Sequence, residues 1–83
     1  MTIIEAINAI DDIYPNTYTE EDKIGWLSTL DERVKKNIID THEGGENVVF
    51  EGYTADTPLS TELLIPRQYS DVYLFWMQAK IDY

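Results

Sequence analysis

The chain opens with apolar residues at helical spacing. Ile3, Ile7, Ile10 and Tyr14 recur at intervals of four, three and four, and so share one stripe. Thr2 and Glu5 stand as a T-x-x-E capping box, which satisfies two otherwise unpaired amides reciprocally. The pattern predicts a first helix over residues 2–14, closed by the turn signal Pro15-Asn16. A second helix is predicted over 20–42. Thr19 is its N-cap, and Glu20, Glu21 and Asp22 fill the first turn, where the helix dipole favours negative charge. Leu27, Leu30, Val34 and Ile38 form its apolar face, flanked by Ile24, Trp26 and Ile39. Arg33, Lys35 and Lys36 suit the opposite pole, and Gly44-Gly45 supplies the stop. Gly25 interrupts this helix and is expected to permit a close approach by Pro15 or by the first helix.

The period then changes. Asn47-Val48-Val49-Phe50-Glu51-Gly52-Tyr53 is short and rich in β-branched and aromatic residues, which reads as a strand. The 54–61 stretch, with Asp56-Thr57-Pro58, reads as a loop, and Glu62-Leu63-Leu64-Ile65 as a short partner strand. Two strands alone are marginal in water, so such a hairpin or extended arm must lean on the helices or on a neighbouring subunit. Pro66 opens a third helix, over 66–83. Tyr69, Val72, Tyr73, Trp76, Ala79, Lys80 and Tyr83 follow one face, and Leu74, Met77 and Ile81 the other, with Phe75 between. A helix apolar on two sides is covered on two sides, so the excess face is a candidate interface. The pattern reaches Tyr83 without a cap, as expected of a fraying end or of a helix cut from a longer parent. The predicted core is Ile7, Ile10, Leu27, Leu30, Val34, Ile38, Tyr73 and Trp76. The fold class is therefore mainly α: three helices with a short β-hairpin or extended arm between the second and third.

Composition narrows the functional classes. With 83 residues the chain is one domain, 1–83, and buries about 60–65% of its unfolded surface, which leaves little room for a deep substrate cleft. Sixteen acidic against six basic residues give a net charge of -10. Phosphate binding needs clustered Lys and Arg, so this balance argues against wrapping nucleic acid and against anionic membranes. No Cys is present, which excludes thiol catalysis and zinc–thiolate sites. Neither a basic signal segment nor an apolar run of membrane-spanning length is visible, and a soluble protein is expected.

No residue pattern carries catalytic chemistry. His42-Glu43-Gly44-Gly45-Glu46 lacks the second His of a zinc-protease helix, and its glycines break the helix that would align the ligands, so it reads as a helix C-terminus. Glu20-Glu21-Asp22 lacks a calcium-loop pattern. Asp11-Asp12 and Asp31-Glu32 are neighbours that diverge on a helix and read as solvated faces. Ser28, Ser60 and Ser70 stand in no nucleophile motif. The expectation is a non-enzyme with no cofactor and no metal. Six Tyr and two Trp point instead to protein–protein contact. The candidate interface residues are Phe50, Tyr53, Tyr69, Tyr73, Phe75, Trp76 and Tyr83.

A resemblance to a known family lies in these same segments. The run Glu21-Asp22-Lys23-Ile24-Gly25-Trp26-Leu27-Ser28-Thr29-Leu30-Asp31 resembles the second helix of small proteins from prophages and tailed phages of Gram-positive bacteria. So do Ile38-Ile39-Asp40-Thr41-His42-Glu43-Gly44, Phe50-Glu51-Gly52-Tyr53, Glu62-Leu63-Leu64-Ile65-Pro66, and Tyr69-Ser70-Asp71-Val72-Tyr73 through Ala79-Lys80-Ile81-Asp82-Tyr83. These proteins are similar to the phage head–tail connector (head-completion, adaptor) family. The resemblance implies a structural virion subunit, assembled in the bacterial host cytoplasm, that self-associates into a ring between portal and tail proteins. DNA would pass through the ring without specific binding, and no catalytic residue comes with the family. Related sequences continue past the position of Tyr83 with more helix, a departure from the family pattern that bears on the third helix and on any ring built through it. A strongly negative charge is consistent with a conduit that does not adhere to DNA. The alternative from the residues is an acidic regulatory interaction protein, a DNA mimic or inhibitor that occupies a basic partner surface.

Overall fold

The computed structural model describes residues 1–39 and 50–82. Helix α1 spans Ile3–Ile13, α2 spans Glu20–Asn37 and α3 spans Asp71–Asp82, with a 3-10 turn at Arg67–Tyr69 leading into α3. The capping box of α1 forms as its residues predict: Thr2 Oγ1 accepts from the Glu5 amide at 3.2 Å, and Glu5 Oε1 accepts from the Thr2 amide at 2.9 Å. These hydrogen bonds from Thr2 hold the Glu5 carboxyl below the usual glutamate range. The next two amides have no partner inside the helix. Ile3 N donates to Thr61 O and Ile4 N to Leu59 O, each at 3.0 Å. The start of α1 is thus also the docking edge for the 59–63 segment. Thr19 caps α2 through Asp22 N at 3.1 Å, with the three acids of its first turn as expected.

The core is drawn from all three helices and from the connecting segment. Ile3, Ala6, Ile7 and Ile10 of α1 meet Ile24 and Leu27 of α2, Tyr73 and Met77 of α3, and Tyr53 and Leu63 between them. A fully buried aliphatic side chain is worth about 1.5–3 kcal/mol relative to exposure, so this cluster carries the fold. Near the C-terminal end of α1, the buried Lys23 ammonium meets Asp11 Oδ1 at 2.6 Å, and Asn16 Nδ2 donates to the same oxygen at 3.1 Å. Lys23 holds the Asp11 carboxyl below its usual range. Asp11 is therefore half of an inter-helix tether.

Several expectations are corrected. Among the described residues there is no strand and no β-hairpin. Glu62 makes a lone antiparallel bridge with Thr2, and Leu63 N donates to Met1 O at 2.9 Å. The 62–65 segment finds its backbone partners at the start of α1 and on side chains of α2 and α3, so no second strand is needed. Residues 47–49 of the expected strand, the His42-Glu43-Gly44-Gly45-Glu46 stretch and Tyr83 lie outside the described residues. Helix α2 ends at Asn37 with Ile38 as its C-cap, its amide still bonded to Val34 O at 3.0 Å, and the Ile38 side chain lies at the open groove, 55% exposed and not core. Leu30 and Trp76, also assigned to the core, are only partly buried and pack against its edge. Pro66 precedes a 3-10 turn held by Tyr69 N to Pro66 O at 2.9 Å and Ser70 N to Arg67 O at 3.1 Å, and the α-helix starts only at Asp71. Nothing approaches within 4 Å of the position a Cβ would take at Gly25, so no close packing requires that glycine.

Candidate interaction surface

Asp31 organises the surface from beneath. It lies on the stripe Ile24, Leu27, Asp31, Val34 and is completely buried. Its Oδ1 accepts from the Tyr73 hydroxyl at 2.6 Å, and its Oδ2 accepts from the Tyr53 hydroxyl at 2.5 Å and from Leu64 N at 3.0 Å. Ile65 N in turn donates to the Tyr73 hydroxyl oxygen at 2.7 Å. A buried carboxylate requires such donors, because an unsatisfied one is very costly. Burial and the Asp31 carboxylate push both the Tyr53 and Tyr73 hydroxyls far above the ordinary tyrosine range. Ser28, also buried, accepts from Tyr53 N at 3.0 Å. Gly52 precedes Tyr53 with φ 91°, a left-handed backbone that favours glycine, and a Cβ there would lie 3.1 Å from Ser28 Oγ and crowd it. Together these bonds tie an irregular segment to α2 and α3.

Above this network lies an open apolar groove of about 620 Å³. One wall is the last half of α2, with Leu30, Val34 and Ile38; the other is Leu64, Ile65 and Pro66, closed by Tyr69 and Val72 at the entry to α3. Arg33 and Asn37 supply its polar groups. Because Leu64 and Ile65 are the residues whose amides are tied to Asp31 and Tyr73, the buried network sets the position of that wall. Tyr69 is 60% exposed and Val72 is also exposed, so the entry to α3 presents apolar side chains to solvent at the groove, and Phe75, 67% exposed, follows three residues further along α3.

The predicted interface residues divide accordingly. Tyr69 and Phe75 are on the surface. Tyr53 and Tyr73 are not available to a partner: both are buried, because their hydroxyls are the donors that Asp31 requires. Phe50 is half-buried edge-on against Tyr53, with ring centres 5.0 Å apart. Trp76 is half-buried. Its Nε1 donates to Trp26 O at 2.8 Å, and the Arg33 guanidinium and Lys80 ammonium lie 5.1 and 4.8 Å from the centre of its ring. Trp76 therefore joins α3 to α2, with two cations at its ring.

Asp31, read from sequence as a solvated acid, is the residue that sequence reasoning missed. Its position three residues before Val34 and four after Leu27 places it on the apolar stripe, and that spacing was the available signal. Ser28 is a structural hydrogen-bonding group in the same network. Among the described residues no three His, Cys, Asp or Glu side chains gather where they could hold a metal ion, and no helix is long and apolar enough to cross a membrane. Comparison of the chain with family profiles, with curated proteins and with solved structures finds no match.

Proposed function

We propose that this chain is a structural assembly subunit of the head–tail connector type, which joins a portal to a tail and forms part of the DNA conduit. The observation that carries the reading is the apolar surface at the junction of α2 and α3: the groove of about 620 Å³ with the exposed Tyr69 and Val72 in its lining, and the exposed Phe75 further along α3. A chain with a net charge of -10 has ample polar residues for its surface, and exposed apolar groups contiguous with an apolar groove mark an interaction site. The sequence resemblance to connector proteins supplies the kind of assembly. The acidic inhibitor reading rests on a different observation, the clustering of Asp11, Asp12, Glu20, Glu21 and Asp22 where α1 ends and α2 begins. It leaves the apolar groove without a use, so the connector reading is preferred.

The test is genetic. Inactivating the gene in the genome that encodes it is expected to give DNA-containing heads without tails under the electron microscope. Tails are restored by the wild-type gene and not by one carrying Phe75→Asp, which puts a charge on the outward face of α3. Normally tailed particles from the inactivated gene would contradict the proposal.

A further inference from the structure

Trp76 gathers two of the six basic residues of the chain. Its half-buried indole is fixed where α3 packs on α2, by the hydrogen bond from Nε1 to Trp26 O at 2.8 Å. The Arg33 guanidinium of α2 lies 5.1 Å from the ring centre, and the Lys80 ammonium of α3 lies 4.8 Å from it. An aromatic ring attracts cations without cancelling their charge. Neither cation has an acid three or four residues away along its helix, and neither forms an ion pair among the described residues. The other basic residues are placed differently. Lys23 is buried against Asp11, the Arg67 charge acts on Glu5 beside the hydrogen bonds from Thr2, Lys35 already interacts within the chain, and Lys36 follows Glu32 by one turn.

The acids nearest to this pair in the chain face other groups. Glu32 accepts from Ser28, and Asp82 accepts from Tyr14. Asp40, Glu43 and Glu46 follow the groove's Ile39 and lie outside the described residues. Lys80 stands well away from that groove, about 12 Å along α3 from Val72 in its lining. Val72, Phe75 and Ala79 are exposed and share one face of α3 with Trp76 and Lys80, at helical spacing. The outer face of α3 is thus an apolar stripe with a cationic edge, on a chain whose net charge is -10.

We infer that this face is a docking site for an acidic amphipathic helix of a different protein: its apolar side chains cover Val72, Phe75 and Ala79, and carboxylates along its edge meet Arg33 and Lys80. The inference rests on the connector reading only for the expectation that α3 meets another protein. Charge complementarity selects the occupant. Arg33 and Lys80 are cations held at a fixed ring without an acid, and an acid on the partner completes them. Trp and Arg are also the residue types that anchor interfaces. A second copy offers no such helix among the described residues, because the apolar faces of α1 and α2 lie in its own core. Nucleic acid suits the site less well. Its backbone carries a charge about every 3.4 Å per strand, and would run from two cations onto an acidic surface. Repulsion from the net charge of the chain is screened beyond about 8 Å at physiological ionic strength, while contacts at the ring are kept.

The probes are a synthetic amphipathic helix with Leu on one face and Glu on the rest, and its counterpart with Gln for Glu, both stapled to stay helical. They are titrated into the whole chain carrying Trp26→Phe. That change keeps the backbone carbonyl to which Trp76 donates and leaves Trp76 as the sole indole, so its emission reports the site. Calorimetry on the unaltered chain reads the same affinities, and far-ultraviolet circular dichroism checks that each variant is folded. The Glu helix is expected to shift the emission saturably. Its affinity falls about two- to fivefold with Arg33→Gln or with Lys80→Gln, both exposed positions. It falls about tenfold with Phe75→Ser, and the Gln helix binds more weakly than the Glu helix. The inference is overturned if the Glu helix does not bind, if the Gln helix binds equally well, or if Lys80→Gln leaves the affinity unchanged. It is also overturned if single-stranded oligothymidylate shifts the emission with the same dependence on Arg33 and Lys80, or if light scattering shows a self-association that Lys80→Gln abolishes. Failure of the Glu helix to bind alongside tailless particles from the inactivated gene removes this site and leaves the connector reading standing. Binding alongside normally tailed particles does the reverse.

Discussion

Replacing Asp31 by Ala tests the central structural feature. The carboxylate accepts three hydrogen bonds, two from phenol hydroxyls at 2.5 and 2.6 Å and one from an amide at 3.0 Å. Hydrogen bonds to a charged group contribute about 1.5–3 kcal/mol each, and a buried donor left unpaired costs about 1–3 kcal/mol. The three losses do not add fully, because they share one acceptor and water can enter the vacated space. The expected net loss is about 3–5 kcal/mol. At about 0.05–0.15 kcal/mol per residue, 83 residues give a total stability of about 4–12 kcal/mol, so the variant sits at or near the edge of unfolding. Urea unfolding followed by circular dichroism measures the loss. A double-mutant cycle with Tyr53→Phe separates the network from general damage. Tyr53→Phe alone removes one donor and costs about 1–2 kcal/mol, whereas in the Asp31→Ala background its cost falls by at least about 1 kcal/mol. If Asp31→Ala unfolds within about 0.5 kcal/mol of wild type, as surface substitutions do, the carboxylate does not hold the segment in place.

Three further outcomes follow from the same contacts. The Tyr53 and Tyr73 hydroxyls are held protonated above their ordinary range, so the stability they confer is present below about pH 10 and is lost as pH rises beyond it; with both ionising only on unfolding, the slope approaches about 2.7 kcal/mol per pH unit, and their tyrosinate absorbance is expected to appear together with loss of helix, not before it. Gly52→Ala destabilises by about 1–3 kcal/mol, since φ 91° strains any other residue and the Cβ crowds Ser28, while Gly25→Ala, in open space on a helix, stabilises by up to about 1 kcal/mol; thermal melts showing the same sign for both would contradict this. Leu27→Ala, at a fully buried position, costs about 2–5 kcal/mol, and Leu30→Ala, at the groove, costs less; equal losses in urea unfolding would mean that Leu30 belongs to the core.

Helices were legible in the sequence where periodicity and caps agree. Thr2 with Glu5, and Thr19 with the acids after it, mark starts that the structure places at the same residues. The connecting segment was not legible, because its order comes from distant side chains and not from a local pattern. Phe50 to Tyr53 and Glu62 to Ile65 have strand composition, yet the amides of Tyr53, Leu63, Leu64 and Ile65 are taken up by Ser28, Met1, Asp31 and Tyr73. The same long-range bonds explain the misplaced aromatics. Tyr53 and Tyr73 carry the composition of an interface, but a tyrosine hydroxyl satisfies a buried acid as readily as a partner's surface, and only the pairing with Asp31 decides between them. Phe75 and Tyr69 pair with no such acid among the described residues, and they remain on the surface where the two-sided pattern of the third helix put them.

The measurement that tests assembly through the α2–α3 surface most directly is sedimentation velocity of the wild-type chain and of Tyr69→Asp from low micromolar to millimolar concentration. Tyr69 lines the groove and is mostly exposed, so the substitution alters the surface and leaves the core intact. The account predicts a wild-type mass that climbs above 9.6 kDa with concentration and a variant that stays at 9.6 kDa throughout. A wild type that sediments as a single chain over the whole range, or a variant that associates in parallel with it, would contradict the account.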